Sequence, residues 1–301
     1  MYLEHFKFKD LPFALTPNVS LYCGLKGHEE ALNVILFSLR SGEGFIKIIG
    51  EVGSGKTLLC RKVLGSLEED FVTAYLPNPE LPPVELRRAL ARELGIDLTN
   101  LQDQYELLTL INGRLLELHN TNKKVVLLID EAQALPLESL ETLRLLTNIE
   151  TEKTKLLQVV LFGQPELDEH LEDRRLRQLK QRITFSYYLP LLTREDLDTY
   201  LIHRLSMAGC TTSTLFVKKA RDILFRTSKG VPRVINILCH KALLVAYGRG
   251  EFKITPKIMH YAVNDSKIKF KDNFAIIIAY IMGFITLLGV IISFYIIEGI
   301  I

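Results

Sequence analysis

A glycine-rich segment near residue 50 constrains the fold of this chain more than any other feature of its sequence. Residues 50–57 have the sequence GEVGSGKT, which fits the Walker A pattern G-x-x-x-x-G-K-[ST]. An apolar run at residues 45–49 precedes the segment, and a helical pattern at residues 58–67 follows it. Glycines let main-chain N–H groups curl around phosphate oxygens at the N-terminus of a helix. The segment therefore predicts a strand, a phosphate-binding loop and a helix, in that order.

The side chains of this loop predict the ligand that it binds. The Lys56 ammonium can neutralise β- and γ-phosphate oxygens, and the Thr57 hydroxyl can be a ligand of Mg²⁺. The predicted cofactors are therefore ATP and Mg²⁺. The predicted nucleotide-binding residues are consecutive: Gly50, Glu51, Val52, Gly53, Ser54, Gly55, Lys56, Thr57 and Leu58.

A second apolar run, at residues 124–130, ends at Asp130, and Glu131 follows directly. This pair of neighbouring carboxylates is typical of a Walker B motif. Asp130 is predicted to bind Mg²⁺ together with Thr57, and Glu131 to orient or deprotonate the attacking water. Acids commonly terminate strands, so the pair is a weak pattern by itself. Together with a matching phosphate loop, it predicts hydrolysis of the triphosphate.

Further polar positions are candidates for contact with the triphosphate. Gln164 either presents its amide to the γ-phosphate or the water, or is a turn residue. Arg233, at the start of a helical pattern after Gly230 and Pro232, either faces the nucleotide or is a surface arginine. A basic run is usually a solvated helix face, but one of its arginines is a candidate finger for a neighbouring subunit's nucleotide: Arg174, Arg175, Arg177 or Arg182.

The alternation of apolar runs and helical patterns predicts the fold class. Runs rich in Ile, Val, Leu and aromatic residues lie at residues 45–50, 72–77, 124–130, 157–163 and 182–190. Helical patterns, such as residues 86–94 and 105–119, separate them. This order predicts an α/β domain with a parallel sheet over residues 1–190.

Only helical patterns follow Pro190. Thr193 and Asp196 are spaced as a capping box at the start of the first pattern. The helices are predicted at residues 197–207, 214–227, 232–247 and 256–263. The sequence therefore predicts a small all-α domain over residues 191–266.

The C-terminal part of the sequence predicts a membrane anchor. Residues 274–297 contain no charged side chain, and about 20 apolar residues are enough for a helix to span a bilayer. A buried helix of a soluble domain would show a polar face. Three lysines in residues 267–273 precede the run, so the positive-inside rule predicts that the N-terminal part is cytoplasmic. We predict a basic linker at 267–273, a single transmembrane helix at 274–297 in the inner membrane, and a short tail at 298–301.

Charge and cysteine content exclude some function classes. The formal net charge of +2 is near neutral and does not favour nucleic acid as the main partner. The four cysteines lie far apart, without the paired spacing of zinc or redox sites, and are predicted to be reduced thiols. The N-terminus lacks the unbroken apolar stretch of a secretory signal, so the bulk of the chain is expected in the cytoplasm.

Taken together, the loop, the carboxylate pair, Gln164, Arg182 and the turn at residues 230–233 resemble an AAA+ ATPase. Five segments resemble more narrowly the secretion ATPase family of ExeA and GspA: residues 11–17 (LPFALTP), 50–57, 130–133 (DEAQ), 143–150 (LRLLTNIE) and 163–167 (GQPEL). The resemblance covers residues 1 to about 265. The MshM branch, which serves MSHA-type pilus biogenesis, is similar in being little more than the ATPase region, and the resemblance therefore predicts that the chain belongs to this branch.

This resemblance implies a P-loop AAA+ core with a small helical lid, and homo-oligomers with ATP between subunits. It implies that Gln164 is sensor 1, Arg233 is sensor 2 and Arg182 is the finger. The implied function is hydrolysis of ATP in support of a type IV pilus or a type II secretion apparatus, with the envelope proteins of that apparatus as partners. ExeA-like proteins continue into a peptidoglycan-binding domain, whereas this sequence stops four residues after its apolar run, so direct binding to peptidoglycan is not expected.

Two alternative hypotheses belong to other function classes. The first is an ATP-switched AAA+ adaptor on DNA, in which the basic residues at 174–182 contact phosphates. The second is a scaffold that binds nucleotide without hydrolysing it. The presence of Lys56, Thr57, Asp130 and Glu131 disfavours the second.

Overall fold

A parallel β-sheet forms the centre of the computed structural model, which describes residues 2–99, 103–149, 154–210 and 214–266. Within these ranges the sheet has the order β2-β3-β4-β1-β5, and all neighbouring strands are parallel. The predicted α/β class with a parallel sheet is confirmed. The strands are β1 (Phe45–Ile49), β2 (Phe71–Leu76), β3 (Lys124–Ile129), β4 (Leu157–Gly163) and β5 (Ile183–Tyr188).

Helices cover both faces of the sheet, because successive side chains of a strand point to opposite faces. Ile46 and Ile48 of β1 pack in one apolar cluster with α2 (Lys26–Arg40) and α3 (Lys56–Leu64). Phe45 and Ile49 pack in another, on the opposite face. The helices of that second cluster are α4 (Pro83–Glu93), α5 (Gln104–Asn120), α6 (Leu137–Leu146), α7 (Glu166–Leu171) and α8 (Arg177–Lys180).

A separate helical unit follows the sheet. Its helices are α9 (Arg194–Met207), α10 (Lys218–Ser228), α11 (Pro232–Gly248) and α12 (Pro256–Asp265). The predicted capping box is confirmed, since the Thr193 side chain accepts from Asp196 N–H and the Asp196 carboxylate accepts from Thr193 N–H. The second of the predicted helices, at 214–227, starts later in the structure: Leu215 and Phe216 precede α10 and are buried, and Phe216 bridges to Ile254.

The first residues of the chain pack with this helical unit. The short helix α1 (Tyr2–Phe6) lies against α11, and Tyr2, Phe8 and Phe13 are buried in the helical unit's apolar cluster. Here the structure differs from the sequence analysis, which assigned these residues to the α/β domain. The aromatic side chains find their apolar partners in the helical unit, and the Tyr2 hydroxyl lies 3.0 Å from His240 Nδ1.

In the part of the chain that the structure describes, no helix is both long and apolar enough to cross a bilayer. The predicted basic linker at 267–273, transmembrane helix at 274–297 and tail at 298–301 lie outside that part. These segments stay predictions.

Candidate active site

The glycine-rich loop connects the C-terminal end of β1 to the N-terminus of α3. Gly53 and Gly55 have φ angles of +79° and +105°, in the left-handed region that side chains rarely adopt. A Cβ atom on Gly53 would also lie 2.6 Å from the Cβ atom of Arg233. Glycine is therefore required at both positions for backbone reasons alone.

Lys56 is the first residue of α3 and is only 4% exposed. Its Nζ atom donates hydrogen bonds to the carbonyl oxygens of Gly50 at 2.7 Å and Glu51 at 3.1 Å. Burial lowers the pKa of Lys56, and the nearby carboxylates of Glu131 and Asp130 oppose that shift. The ammonium group is therefore held against the loop and faces two acids.

Asp130 follows β3 and is 2% exposed. Its Oδ1 atom accepts from Glu131 N–H at 3.0 Å, and the Thr57 hydroxyl also donates to its carboxylate. Burial raises the pKa of Asp130, while these two hydrogen bonds lower it. A hydroxyl beside a carboxylate is the set of hard oxygen ligands that Mg²⁺ prefers. Among the described residues no three His, Cys, Asp or Glu side chains form a metal cluster.

Glu131 lies beside Asp130 in left-handed backbone, with φ of +52°. Its Oε2 atom accepts two amide hydrogen bonds, from Gln133 Nε2 at 2.6 Å and from Gln164 Nε2 at 2.8 Å. Burial raises the pKa of Glu131, but these hydrogen bonds and the charge of Lys56 outweigh it, so the net shift is downward. Glu131 is thus an ionised carboxylate that faces Lys56.

A cleft of about 370 Å³ lies between the loop and the helical unit, and its volume is within the range of small-molecule sites. One wall is the N-terminal segment at residues 14–18. The α/β unit contributes Val52, Gly53, Gly55, Lys56, Thr57, Leu58 and Glu131, and the helical unit contributes Tyr200, Arg204, Pro232, Arg233 and Asn236.

The predicted site residues fall into two groups. Gln164 reaches Glu131, and Arg233 lines the cleft while its main-chain N–H donates to the Gly53 carbonyl at 3.2 Å. Arg182 is different, because it precedes β5 and therefore lies at the edge where the parallel strands begin. The loop follows β1 at the opposite edge, so Arg182 does not reach the cleft of its own chain.

The basic run at residues 173–182 is partly neutralised by acids. Arg175 pairs with Asp173 at 2.9 Å and with Glu138 at 3.5 Å, and Lys180 pairs with Glu172. Arg175 therefore already has anionic partners within its own chain.

Three residues near the cleft were not recognised as site residues from the sequence: Gln133, His28 and Arg204. Arg204 is 4% exposed and donates to the carbonyl oxygens of Pro12 at 2.6 Å and Ala14 at 3.0 Å. It therefore fixes the N-terminal wall of the cleft to α9. No local pattern distinguishes Arg204 from a surface arginine of an amphipathic helix, whereas Gln133 belongs to the DEAQ segment.

His28, on α2, packs against the glycine-rich loop. It is 8% exposed, and its Nε2 atom lies 3.0 Å from the Ser54 carbonyl oxygen. Because a carbonyl only accepts, Nε2 carries the proton. Burial lowers the pKa of His28, although the Ser54 bond and the charges of Asp196 and Glu29 act in the opposite direction.

We expect acid to destabilise the chain partly through His28. A histidine whose folded pKa is lowered binds fewer protons folded than unfolded, so its contribution to stability is present above the ordinary value of 6.5 and is lost as the pH falls below it. The variant His28→Gln keeps a donor for Ser54. When the pH falls from above 6.5 to below it, this variant should lose less free energy of unfolding than the wild type, as measured by urea denaturation. His28→Phe removes the bond and should cost about 1–3 kcal/mol at neutral pH.

The control for this prediction is His260→Gln, since His260 is exposed on α12. It should leave the pH dependence of stability unchanged. Equal pH dependence in His28→Gln and the wild type would contradict the prediction.

Comparison with known proteins identifies a domain and a relative. Residues 39–171 match the family described as AAA domain. General secretion pathway protein A of Aeromonas hydrophila is 42% identical to this chain over 254 residues, which cover 84% of this chain and 46% of that protein. The chain thus spans about half the length of this relative.

Solved structures resemble the chain more distantly. The ORC2 protein of Aeropyrum pernix, in ADPNP-ADP complexes, has a TM-score of 0.64 and 18% identity, over 86% of this chain and 72% of that one. Cdc6p of Pyrobaculum aerophilum has a TM-score of 0.61 and 16% identity, over 89% and 71% of the two chains. The RuvB Holliday junction branch migration motor of Thermotoga maritima has a TM-score of 0.53 and 15% identity, over 84% and 72%. Identities this low show a shared fold alone. The chain therefore has the α/β fold of P-loop AAA+ proteins, carries an AAA domain at residues 39–171, and is homologous to general secretion pathway protein A.

Proposed function

We propose that the chain binds ATP with Mg²⁺ in the cleft and hydrolyses it. The observation that carries this proposal is the convergence of four side chains at the carboxyl edge of the sheet. Lys56 and Thr57 begin α3, and Asp130 and Glu131 follow β3. Their types and positions suit a triphosphate, its metal ion and an attacking water.

Each residue has a task in this mechanism. The main-chain amides from Gly50 to Leu58 cradle the phosphates, and the Lys56 ammonium leaves the carbonyls of Gly50 and Glu51 for phosphate oxygens. Thr57 and Asp130 would hold Mg²⁺, which would neutralise charge on the phosphates. Glu131 accepts the proton of the water that attacks the γ-phosphorus, and the bond to the bridging oxygen breaks to give ADP and phosphate.

The helical unit acts as a lid in this proposal. Arg233 lines the cleft and its main chain bonds the loop, so it is suited to sense the nucleotide as sensor 2. Gln164 contacts Glu131 and is suited to be sensor 1. The contacts of both residues would change when the γ-phosphate is cleaved, and this change would be passed to the neighbouring elements of the chain.

We propose homo-oligomers with ATP at the subunit interfaces. Arg182 is the proposed finger, because it lies at the far edge of the sheet, from which it would serve a neighbour and not its own cleft. Arg174 and Arg177 remain alternatives, as does Arg175, although its pairs with Asp173 and Glu138 would first have to break.

The proposed biological role is to support assembly of a type II secretion apparatus or a type IV pilus at the inner membrane. Homology to general secretion pathway protein A favours the secretion apparatus. The MshM-like assignment stays a prediction. Envelope proteins of that apparatus are the proposed partners, while the near-neutral charge and the paired basic residues argue against DNA.

The proposed activity is tested by titrating the full-length chain, in detergent, with fluorescent ATP with and without Mg²⁺. Saturable binding followed by release of phosphate is the expected result. Failure of a folded, oligomeric preparation to bind ATP would overturn the proposal.

We expect residues 274–297 to anchor the chain in the membrane with its N-terminal part in the cytoplasm. Full-length protein should stay in the membrane fraction after washing with high salt or carbonate and should be released by detergent. A matched chain ending after residue 266 should appear in the soluble fraction, because it lacks the apolar run. Release of the full-length protein without detergent would contradict the anchor.

A further inference from the structure

Gln133 occupies a position behind the proposed general base. It lies in the short 3-10 turn Ala132–Ala134 that directly follows Glu131. Its Nε2 atom donates to Glu131 Oε2 at 2.6 Å, and its Oε1 atom accepts from the main-chain N–H of Gln164 at 3.0 Å. The Gln164 side chain donates to the same Oε2 atom at 2.8 Å. Gln133, Glu131 and Gln164 thus form a closed ring of hydrogen bonds.

The chemistry of its two partners fixes the orientation of the Gln133 amide. The Glu131 carboxylate only accepts hydrogen bonds, and a main-chain N–H only donates. A flipped amide would place oxygen against oxygen and nitrogen against N–H, losing both bonds. An amide is therefore the group that this position needs, since a carboxylate would satisfy Gln164 and repel Glu131.

The ring of hydrogen bonds restrains the side chain of Glu131, a residue whose backbone conformation is strained. Glu131 is a non-glycine residue with φ of +52°, which costs of the order of 1 kcal/mol or more. Both amide donors bond Oε2, which leaves Oε1 to accept a proton in the cleft. Glu131 lines the cleft, whereas Gln133 does not.

We propose that Gln133 is a positioning residue. It orients the Glu131 carboxylate to accept the proton of the attacking water, and it links this carboxylate to the loop after β4. This inference rests on the proposed hydrolysis of ATP. Gln133 acts through Glu131 and touches no reacting atom. It couples the base to Gln164 because one amide bonds both residues.

The inference predicts a loss of rate without a loss of affinity. Gln133→Glu keeps the shape of the side chain and the acceptor for Gln164 N–H, but places a second carboxylate beside Glu131. Gln133→Leu removes both bonds. Each variant of the full-length protein should lower the single-turnover rate of ATP hydrolysis by about 10- to 100-fold, since a misplaced catalytic group costs a factor of that order. The Kd for ATP should stay unchanged, because Gln133 does not line the cleft.

A double variant tests whether the effect passes through Glu131. Glu131→Gln combined with Gln133→Glu should hydrolyse ATP at the same residual rate as Glu131→Gln alone, because a positioning residue has no effect once its target is gone. The exchanged pair again matches one amide with one carboxylate. The Tm of the double variant should therefore be higher than that of Gln133→Glu and close to that of the wild type. Its rate of hydrolysis should remain as low as that of Glu131→Gln.

Several outcomes would overturn the inference about Gln133 and leave the proposed function intact. In one, the wild type hydrolyses ATP and Gln133→Glu does so equally fast. In another, the two substitutions lower the rate multiplicatively, which would mean that Gln133 acts independently of Glu131. A raised Kd with an unchanged single-turnover rate would also overturn it. Absence of hydrolysis in the wild type would instead overturn the proposed function on which the inference rests.

Discussion

Replacing Lys56 with alanine is expected to lower the affinity of the full-length chain for ATP by about a hundredfold. The ammonium would make at least two charge-assisted bonds to phosphate, each worth about 1.5 kcal/mol or more, and about 1.4 kcal/mol corresponds to a factor of ten. Its buried position beside the loop means that no other side chain can easily replace it. Equilibrium titration with fluorescent ATP and Mg²⁺ measures the change.

The matched control is Lys62→Ala, on the same helix but outside the cleft. Its affinity should match that of the wild type. Because Lys56 also bonds the carbonyls of Gly50 and Glu51, the Tm of each variant must be compared with the wild type. A folded Lys56→Ala variant with undiminished affinity would contradict the assignment of the loop.

Replacing Glu131 with glutamine is expected to lower the rate of hydrolysis by about 10²- to 10⁴-fold, the usual contribution of a general base. The amide cannot accept the proton of the water at neutral pH. Its oxygen can still accept hydrogen bonds from Gln133 and Gln164, so the local structure should persist. ATP should remain bound with the wild-type Kd, and a single-turnover assay of phosphate release separates the two effects.

Glu138→Gln is the control for this prediction, because Glu138 is an exposed acid on α6. It removes the same charge from the chain without touching the cleft. If Glu131→Gln hydrolysed ATP as fast as Glu138→Gln, Glu131 would not be the base.

The phosphate loop could be predicted from the sequence because its constraints are local. Gly53 and Gly55 have the positive φ angles that the motif requires, and the flanking strand and helix start within a residue or two of their predicted positions. Strand periodicity was equally informative. The second predicted strand, at residues 72–77, corresponds to Phe71–Leu76. The capping box at Thr193 is local as well, since its partners lie three residues apart.

Contacts between distant residues could not be predicted in this way. Arg204 meets the carbonyl of Pro12 across 192 positions of sequence, and Tyr2 meets His240 across 238. No periodicity or motif in either segment indicates its partner. The sequence therefore predicts the N-terminal residues as part of the α/β domain and does not indicate that they form one wall of the cleft.

The sequence by itself determined the loop, the parallel sheet and the acids that end β3, because glycine torsions, strand alternation and the chemistry of neighbouring residues act over a few positions. Only the tertiary structure decided how the site is assembled. The ring around Glu131 needs Gln164, which follows another strand 33 residues away. Arg182 is excluded from its own cleft because parallel strands all end at one edge. Packing between distant segments thus supplied the geometry, and the local sequence supplied the chemical groups.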